Sequence, residues 1–333
     1  MAPVSPVFSG FVRKRLAHLS GSESVGEWTA MKERIAVRVP ATTANMGPGF
    51  DCLGMALDIW NHVTVEVGAS GIEISGEGAD SLPTDDSNLV YQGFRTALIE
   101  AGLPVPQVKL VCRNEIPLGR GLGSSSAALV GGLVAGNELC GRPLDQATLL
   151  DLGANIEGHP DNVAPALLGG CQIGVWHDRH LVTSSVPVPD GLTAVIFIPD
   201  VEMATDDARA VLEDRVARQD AVYNIGRVAM LVRAMYTGDF STLAIATDDR
   251  LHQPARQSMF PAMKNIFRAA IGAGALGVFL SGAGSSVLAL AKGRELTIGY
   301  EMADAASNSG LNGTVRITTP TDQGAVVVEN SAA

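Results

Sequence analysis

Between Pro117 and Gly136 the chain reads PLGRGLGSSSAALVGGLVAG. Three glycines and three serines fall in the eight residues from Gly119 to Ser126, and a small apolar run follows at once. A flexible linker is excluded, because Gly/Ser linkers carry no apolar face, whereas Leu129, Val130, Leu133, Val134 and Leu139 supply one here. A membrane span is excluded as well, since the run is short and interrupted by glycine. What remains is a glycine-rich turn feeding the N-terminus of a buried helix. Glycine lets backbone N–H groups approach a ligand with no Cβ in the way. The helix end adds unpaired N–H donors and roughly half a positive charge. Ser124 is the expected N-cap, and Ser125 and Ser126 add hydroxyls for a phosphate or a metal. A glycine–serine helix cap with no ligand fits the same spacing. Two common phosphate loops do not fit: no Lys follows the last glycine as in GxxxxGK(S/T), and the βαβ setting of GxGxxG is missing.

Charge narrows the function classes. The net charge is -11, so a nucleic-acid partner is not expected, and an anionic ligand needs a local site against the average field. The four cysteines, Cys52, Cys112, Cys140 and Cys171, form no CxxC pair and fit a reducing compartment. The first residues lack the order of a secretory signal, and no apolar stretch is long enough for a spanning helix. A cytoplasmic protein with no membrane partner is the expectation.

Residues 1–34 are Ser/Gly-rich without period and read as a mobile N-terminal extension. Val37 and Val39 alternate with Arg38, and Pro40 is expected to close a first strand. HVTVEV from His62, GIEISGEG, VKLVCRNEIP, GGCQIGVW and LTAVIFIP read as further strands. SNLVYQGFRTALIEAG reads as a helix with Ser87 or Asn88 as N-cap and Gly102 as stop. LDQATLLDLGANIEG is a second helix. After Pro199 helices dominate: TDDARAVL, RQDAVYNIGRVAMLVRAM and PAMKNIFRAAIGAG have helical apolar spacing. ALGVFLSGAGSSVLAL is two strands around a Gly/Ser turn, and a last helix precedes GTVRITTP and GAVVVE. Strands and helices mix without a strict βαβ repeat, which favours α+β with two subdomains.

PxxxGLGSSxAA, here Pro117 to Ala128, resembles the second motif of the GHMP kinase superfamily. PATTANMGPGFDCLGMAL, Pro40 to Leu57, resembles the homoserine kinase form of its first motif, and LSGAGSSVLAL, Leu280 to Leu290, is similar to its third. EGHPDNVAPALLGG, Glu157 to Gly170, resembles a homoserine kinase signature. The galactokinase and mevalonate kinase forms of the first motif are absent. The resemblance runs from about Ile35 to the C-terminus. Ser285 stands where the family usually has proline, and Ser126 where many members have alanine. The implied architecture is the α+β two-domain GHMP kinase fold. An N-terminal ribosomal-protein-S5-domain-2-like domain spans residues 35–190, and a C-terminal ferredoxin-like domain spans 191–333.

The resemblance implies roles. ATP lies on a cradle of Pro117, Leu118, Gly119, Arg120, Gly121, Leu122, Gly123, Ser124, Ser125, Ser126 and Ala127. Asn88 and Val90 line the adenine pocket, although a helix N-cap and a core valine fit the same positions. Mg²⁺ is assigned to Ser125 and Glu157, oxygen donors suited to a hard cation, with Ser126 an open alternative to Ser125. The acceptor is L-homoserine, a zwitterion with a hydroxyl. Its carboxylate falls to Arg209 and Arg256, and Asp51 can pair its ammonium. Asn45, His159, Asn162 and Thr205 complete the substrate set. Glu157 and Asn162 are the catalytic candidates. Asn162 orients the hydroxyl, an amide being unable to take its proton at neutral pH, so no strong protein base is expected; Asp161 is the competing candidate. His62, His177, His180 and His252 are given no chemistry. A kinase for another alcohol, such as shikimate or mevalonate, and an inactive ligand-binding relative are the competing readings. Members of the superfamily are often dimers, so a homodimer is a further expectation.

Overall fold

The sheets follow from where each strand can bury a face. A computed structural model describes residues 33–328, so the extension read over 1–34 lies outside the described residues except for its last two positions. In chain order the elements are β1 (Arg34–Ala44), β2 (Leu53–Val67), β3 (Gly71–Gly76), α1 (Leu89–Glu100), β4 (Val108–Asn114), α2 (Ser124–Leu139), α3 (Gln146–Glu157), α4 (Pro160–Leu168), β5 (Cys171–His177) and β6 (His180–Val186). The later elements are β7 (Thr193–Pro199), α5 (Thr205–Ala210), α6 (Arg218–Thr237), α7 (Leu243–Ala246), α8 (Gln253–Arg256), α9 (Met263–Ala273), β8 (Gly277–Leu280), β9 (Val287–Ala291), α10 (Glu295–Ser307), β10 (Gly313–Thr318) and β11 (Val326–Val328).

Among the described residues the first sheet has seven strands. Its main path is β11-β1-β2-β4-β3, and the hairpin β5-β6 joins through the start of β2. Only β3 and β4 run parallel. The second sheet is β10-β7-β9-β8, antiparallel throughout. Taken with α9 and α10 it is a βαββαβ unit with split strand order, the ferredoxin-like arrangement. β11 then returns to the first sheet beside β1.

Two strand expectations change. Pro40 does not end β1, which runs on to Ala44 with a register shift between Pro40 and Ala41. β11 covers the outer edge of β1 only at Ala36 to Arg38, so no strand lies outside Pro40 to miss its N–H. β2 begins at Leu53, well before His62. Leu53 to Leu57 are all buried, and a segment buried on both faces shows no alternation.

Helix α2 is buried almost all round, which explains the apolar residues at every angle after Ser126. It crosses α1 at close range. A Cβ on Gly132 would stand 2.0 Å from the Val90 carbonyl oxygen. The small residues of GGLVAG therefore serve helix packing. In the second half, Phe197, Val195, Leu280, Val287, Ile266, Ala270, Ile298 and Met302 form the core between sheet and helices. Each buried Leu, Ile, Val, Phe or Met side chain contributes about 1.5–3 kcal/mol.

Candidate active site

Three loops meet where the two sheets approach each other. They are the turns after β1, before α2, and between β8 and β9. The Ser281 hydroxyl donates to the Gly121 carbonyl at 2.7 Å and lies 2.8 Å from the Thr43 hydroxyl. The Asn45 amide donates to the Gly282 carbonyl at 2.9 Å, and the Thr42 N–H donates to the Leu122 carbonyl at 3.1 Å. Segments some 240 residues apart are thus fixed against one another by hydrogen bonds, 237 positions separating Asn45 from Gly282.

The glycines before α2 are required by this contact. Gly121 and Gly123 have φ of 71° and 70°, the left-handed region that L side chains avoid. A Cβ on Gly121 would lie 2.0 Å from the Ser281 carbonyl oxygen, and one on Gly123 would lie 1.9 Å from the Thr42 hydroxyl. Gly123 itself is the N-cap, and no side chain caps the helix. Ser124 is therefore the first helical residue and not the cap, a correction to the expectation from sequence. First-turn N–H groups that no side chain caps suit an anion.

The three serines differ. Ser125 is exposed, and its hydroxyl donates to Glu157 Oε1 at 2.7 Å. Ser126 is fully buried, and its hydroxyl has no hydrogen-bond partner. Glu157 is the last residue of α3, released by Gly158 at φ 91°. Pro117 and Leu118 are half-buried, Gly119 is exposed, and Leu122 and Ala127 are buried. Arg120 is tied into the second half through Nε to the Pro199 carbonyl at 2.7 Å and Nη2 to the Asp200 carbonyl at 2.8 Å. Asn88 caps α1: its Oδ1 accepts from the Val90 N–H at 2.9 Å, and its amide donates to the Pro83 carbonyl at 2.8 Å. Val90 is 4% exposed. Asn88 is thus a helix N-cap and Val90 a core residue in the structure.

The turn after β1 carries three non-glycine residues at positive φ, Asn45, Met46 and Asp51. Such strain persists where surrounding contacts enforce it. Here the Asn45 side chain does so, its Oδ1 accepting the Asp51 N–H at 2.9 Å. The strained turn presents the Asp51 carboxylate to Arg209, whose Nη1 and Nη2 donate to it at 3.1 and 2.7 Å. Phe50 gathers the cations. The guanidinium carbons of Arg209 and Arg256 each lie 5.7 Å from its ring centroid. Burial, then the charge of Arg209, pushes the Arg256 pKa down to about 10. For Arg209 the bond to Asp51 raises the pKa.

α4 supplies the remaining candidates. Pro160 at its first position sets the helix start. Asn162 Oδ1 accepts from the Thr42 hydroxyl at 2.7 Å, directly behind Gly123. His159 Nδ1 lies 2.7 Å from Asp161 Oδ1, and Asp161 is 3% exposed. Thr205 opens α5 on the surface. Sequence reasoning missed Thr42, Phe50, Ser281 and His252. Phe50 and Thr42 lie inside the quoted first motif, but nothing about a Phe between glycine and aspartate announces a cation platform.

Two sheets thus bring together a glycine turn with no side-chain cap, the start of a buried helix and an ion-pair cluster. Family models describe the GHMP kinases N terminal domain over residues 88–170 and the GHMP kinases C terminal over residues 231–306. The chain is 44% identical over 293 residues to homoserine kinase of Moorella thermoacetica, covering 88% of this chain and 99% of that one. It is 40% identical over 296 residues to homoserine kinase of Desulfitobacterium hafniense, covering 88% of this chain and 100% of that one. The crystal structure of homoserine kinase from Cytophaga hutchinsonii superposes with TM-score 0.81 at 33% identity, covering 90% of this chain and 98% of that chain. The chain belongs to the homoserine kinase family of the GHMP kinases.

Proposed function

We propose that the protein transfers the γ-phosphoryl group of ATP to the hydroxyl of L-homoserine, giving O-phospho-L-homoserine and ADP for threonine biosynthesis. The observation that carries this reading is the set of one carboxylate and two guanidiniums, Asp51, Arg209 and Arg256, grouped around Phe50. A zwitterion inserted there exchanges the internal Asp51–Arg209 pair for two intermolecular ones, ammonium to Asp51 and carboxylate to Arg209 with Arg256. Mevalonate and shikimate have no ammonium to offer.

The triphosphate is assigned to the N–H groups of Gly121 to Ser126 at the start of α2. Ser125 and Glu157 fit Mg²⁺, because a hydroxyl and a carboxylate oxygen already stand within 2.7 Å of each other and Mg²⁺ takes few protein ligands beside water and phosphate. When bound, it would neutralise phosphate charge. Phosphoryl transfer asks for positioning and charge neutralisation more than covalent help. Asn162, its amide fixed by Thr42, orients the acceptor hydroxyl. Asp161 is engaged by His159, so it is a positioning carboxylate in this reading, and the hydroxyl proton leaves to phosphate or water.

An ADP-release assay over L-homoserine, mevalonate and shikimate tests the proposal. Turnover confined to homoserine is expected; good turnover of another alcohol with little on homoserine overturns it. No helix among the described residues is long and apolar enough to cross a membrane.

A further inference from the structure

Histidine 252 is sealed inside the protein, with no exposed surface. Its ring stacks on Phe50, the centroids 5.2 Å apart at 27°. Nε2 is 2.8 Å from the Gly47 carbonyl oxygen, and Nδ1 is 2.9 Å from Nη1 of Arg256. A carbonyl can only accept, and a guanidinium can only donate. Nε2 therefore carries the proton and Nδ1 presents a lone pair. The partners fix one neutral tautomer without any hydrogen having to be seen.

Arg256 is itself 1% exposed. Besides His252, its Nε donates to the Ala208 carbonyl at 3.1 Å and its Nη1 to the Gly282 carbonyl at 3.0 Å. These bonds use Nε and Nη1 and leave Nη2 out. All three acceptors are neutral, so the guanidinium is desolvated without a carboxylate in hydrogen-bond contact among the described residues. That is costly for a cation, and an arriving carboxylate would offset the cost. The backbone of His252 is held in turn by Asp249. The Asp249 carboxylate accepts from the N–H groups of Leu251, His252 and Gln253 at 2.9, 2.9 and 2.7 Å and from the Asn224 amide at 2.7 Å.

We infer that His252 is a positioning residue: as a neutral imidazole protonated on Nε2, it holds the Arg256 guanidinium against the turn after β1, where the substrate carboxylate is to be met. The inference rests on the assignment of Arg256 to that carboxylate. Protonating Nδ1 would set N–H against N–H and place a second cation beside Arg256. The charged groups facing the ring are Asp249, Arg256 and Asp51; burial outweighs the two carboxylates and keeps the pKa below that of a free histidine.

His252→Leu keeps the bulk and removes both ring hydrogen bonds, whereas the amide of His252→Gln can donate and accept. For His252→Leu the KM for homoserine should rise roughly 10–100-fold while the KM for ATP stays near wild type, the effect expected from leaving a buried donor unpaired. The kcat/KM for 3-aminopropan-1-ol, which is homoserine without its carboxylate, should be unchanged, and His252→Gln should recover most of the loss. Equal losses on both alcohols, or an unchanged homoserine KM, would overturn the inference. Should the leucine variant fail to fold, imidazole ¹⁵N NMR of the wild-type protein decides. A single Nε2–H tautomer from about pH 5.5 to 8 is expected, and an imidazolium or an Nδ1–H form in that window refutes it. A wild type inactive on homoserine would overturn the function proposed above, and the NMR result would still decide the state of His252.

Discussion

Arg209 and Asp51 face each other through two roughly parallel N–H···O contacts, 158 residues apart in sequence. Their side chains remain 35% and 34% exposed. Ion pairs this open to solvent contribute about 0–1 kcal/mol to stability. The pair thus adds little to folding, although a strained turn is maintained to present it. On the proposed function, the geometry serves binding of the substrate's charged groups.

Asp51→Asn should therefore leave the melting temperature within about 1–2 °C of wild type, a shift corresponding to about 1 kcal/mol in a chain of this size. The same variant should raise the homoserine KM roughly 10–100-fold, the loss of a charge-assisted contact to the ammonium. Thermal melts and steady-state kinetics on one preparation check both. A variant that unfolds early and keeps its KM would assign the pair to structure instead.

The neighbouring serines should separate cleanly. Ser125→Ala and Glu157→Gln each remove a partner of the 2.7 Å contact and should raise the Mg²⁺ concentration needed for half-maximal rate. Ser126→Ala should not. Its hydroxyl is buried without a partner, so the alanine should stabilise the protein by about 1 kcal/mol. Mg²⁺ titrations and melts of the three variants supply the comparison.

Gly123→Ala tests the turn. Its new Cβ would stand 1.9 Å from the Thr42 hydroxyl at a positive φ, and strain plus displacement should cost about 2–4 kcal/mol. Moving Thr42 also releases the Asn162 amide. Urea unfolding should show the loss of stability, and kcat should fall with it. A variant of wild-type stability would mean the turn relaxes freely.

Protonation of His159 should be visible in stability. Burial lowers its pKa, but the hydrogen bond and charge of Asp161 outweigh burial and hold it above the unfolded value of 6.5. The folded state then binds this proton more tightly. Its contribution is complete below pH 6.5 and is lost as the pH rises through the folded pKa. The melting-temperature gap between wild type and His159→Asn should be widest near pH 5.5 and shrink toward about pH 8.5. A gap constant with pH would mean that the ring stays neutral throughout.

The sequence carried the two-sheet α+β fold and the three loops well, because their glycines answer local demands of backbone geometry. Gly121 and Gly123 look special in any window that contains them. The reading failed where the deciding partner lay far away. Pro40 was expected to end a strand, since nothing local shows that β11 stops short of it. Ser124 was expected to cap, since nothing local shows that Gly123 takes a left-handed turn against Thr42. The helix Pro160–Leu168 was not read at all, its interior Pro165 hiding the signal from Pro160 at its start. His252 looked like an ordinary core histidine: Arg256 lies four residues on, but Gly47 and Phe50, which fix the ring, arrive from 205 and 202 residues away.

The central claim is the transfer of phosphoryl from ATP to L-homoserine. ³¹P NMR of a reaction containing the protein, ATP, Mg²⁺ and L-homoserine tests it most directly. The account predicts a new phosphomonoester resonance, coupled to the homoserine γ-methylene protons, that grows in step with ADP and is strongly reduced with Asp51→Asn. ADP appearing with inorganic phosphate alone, or no loss of ATP at all, would contradict it.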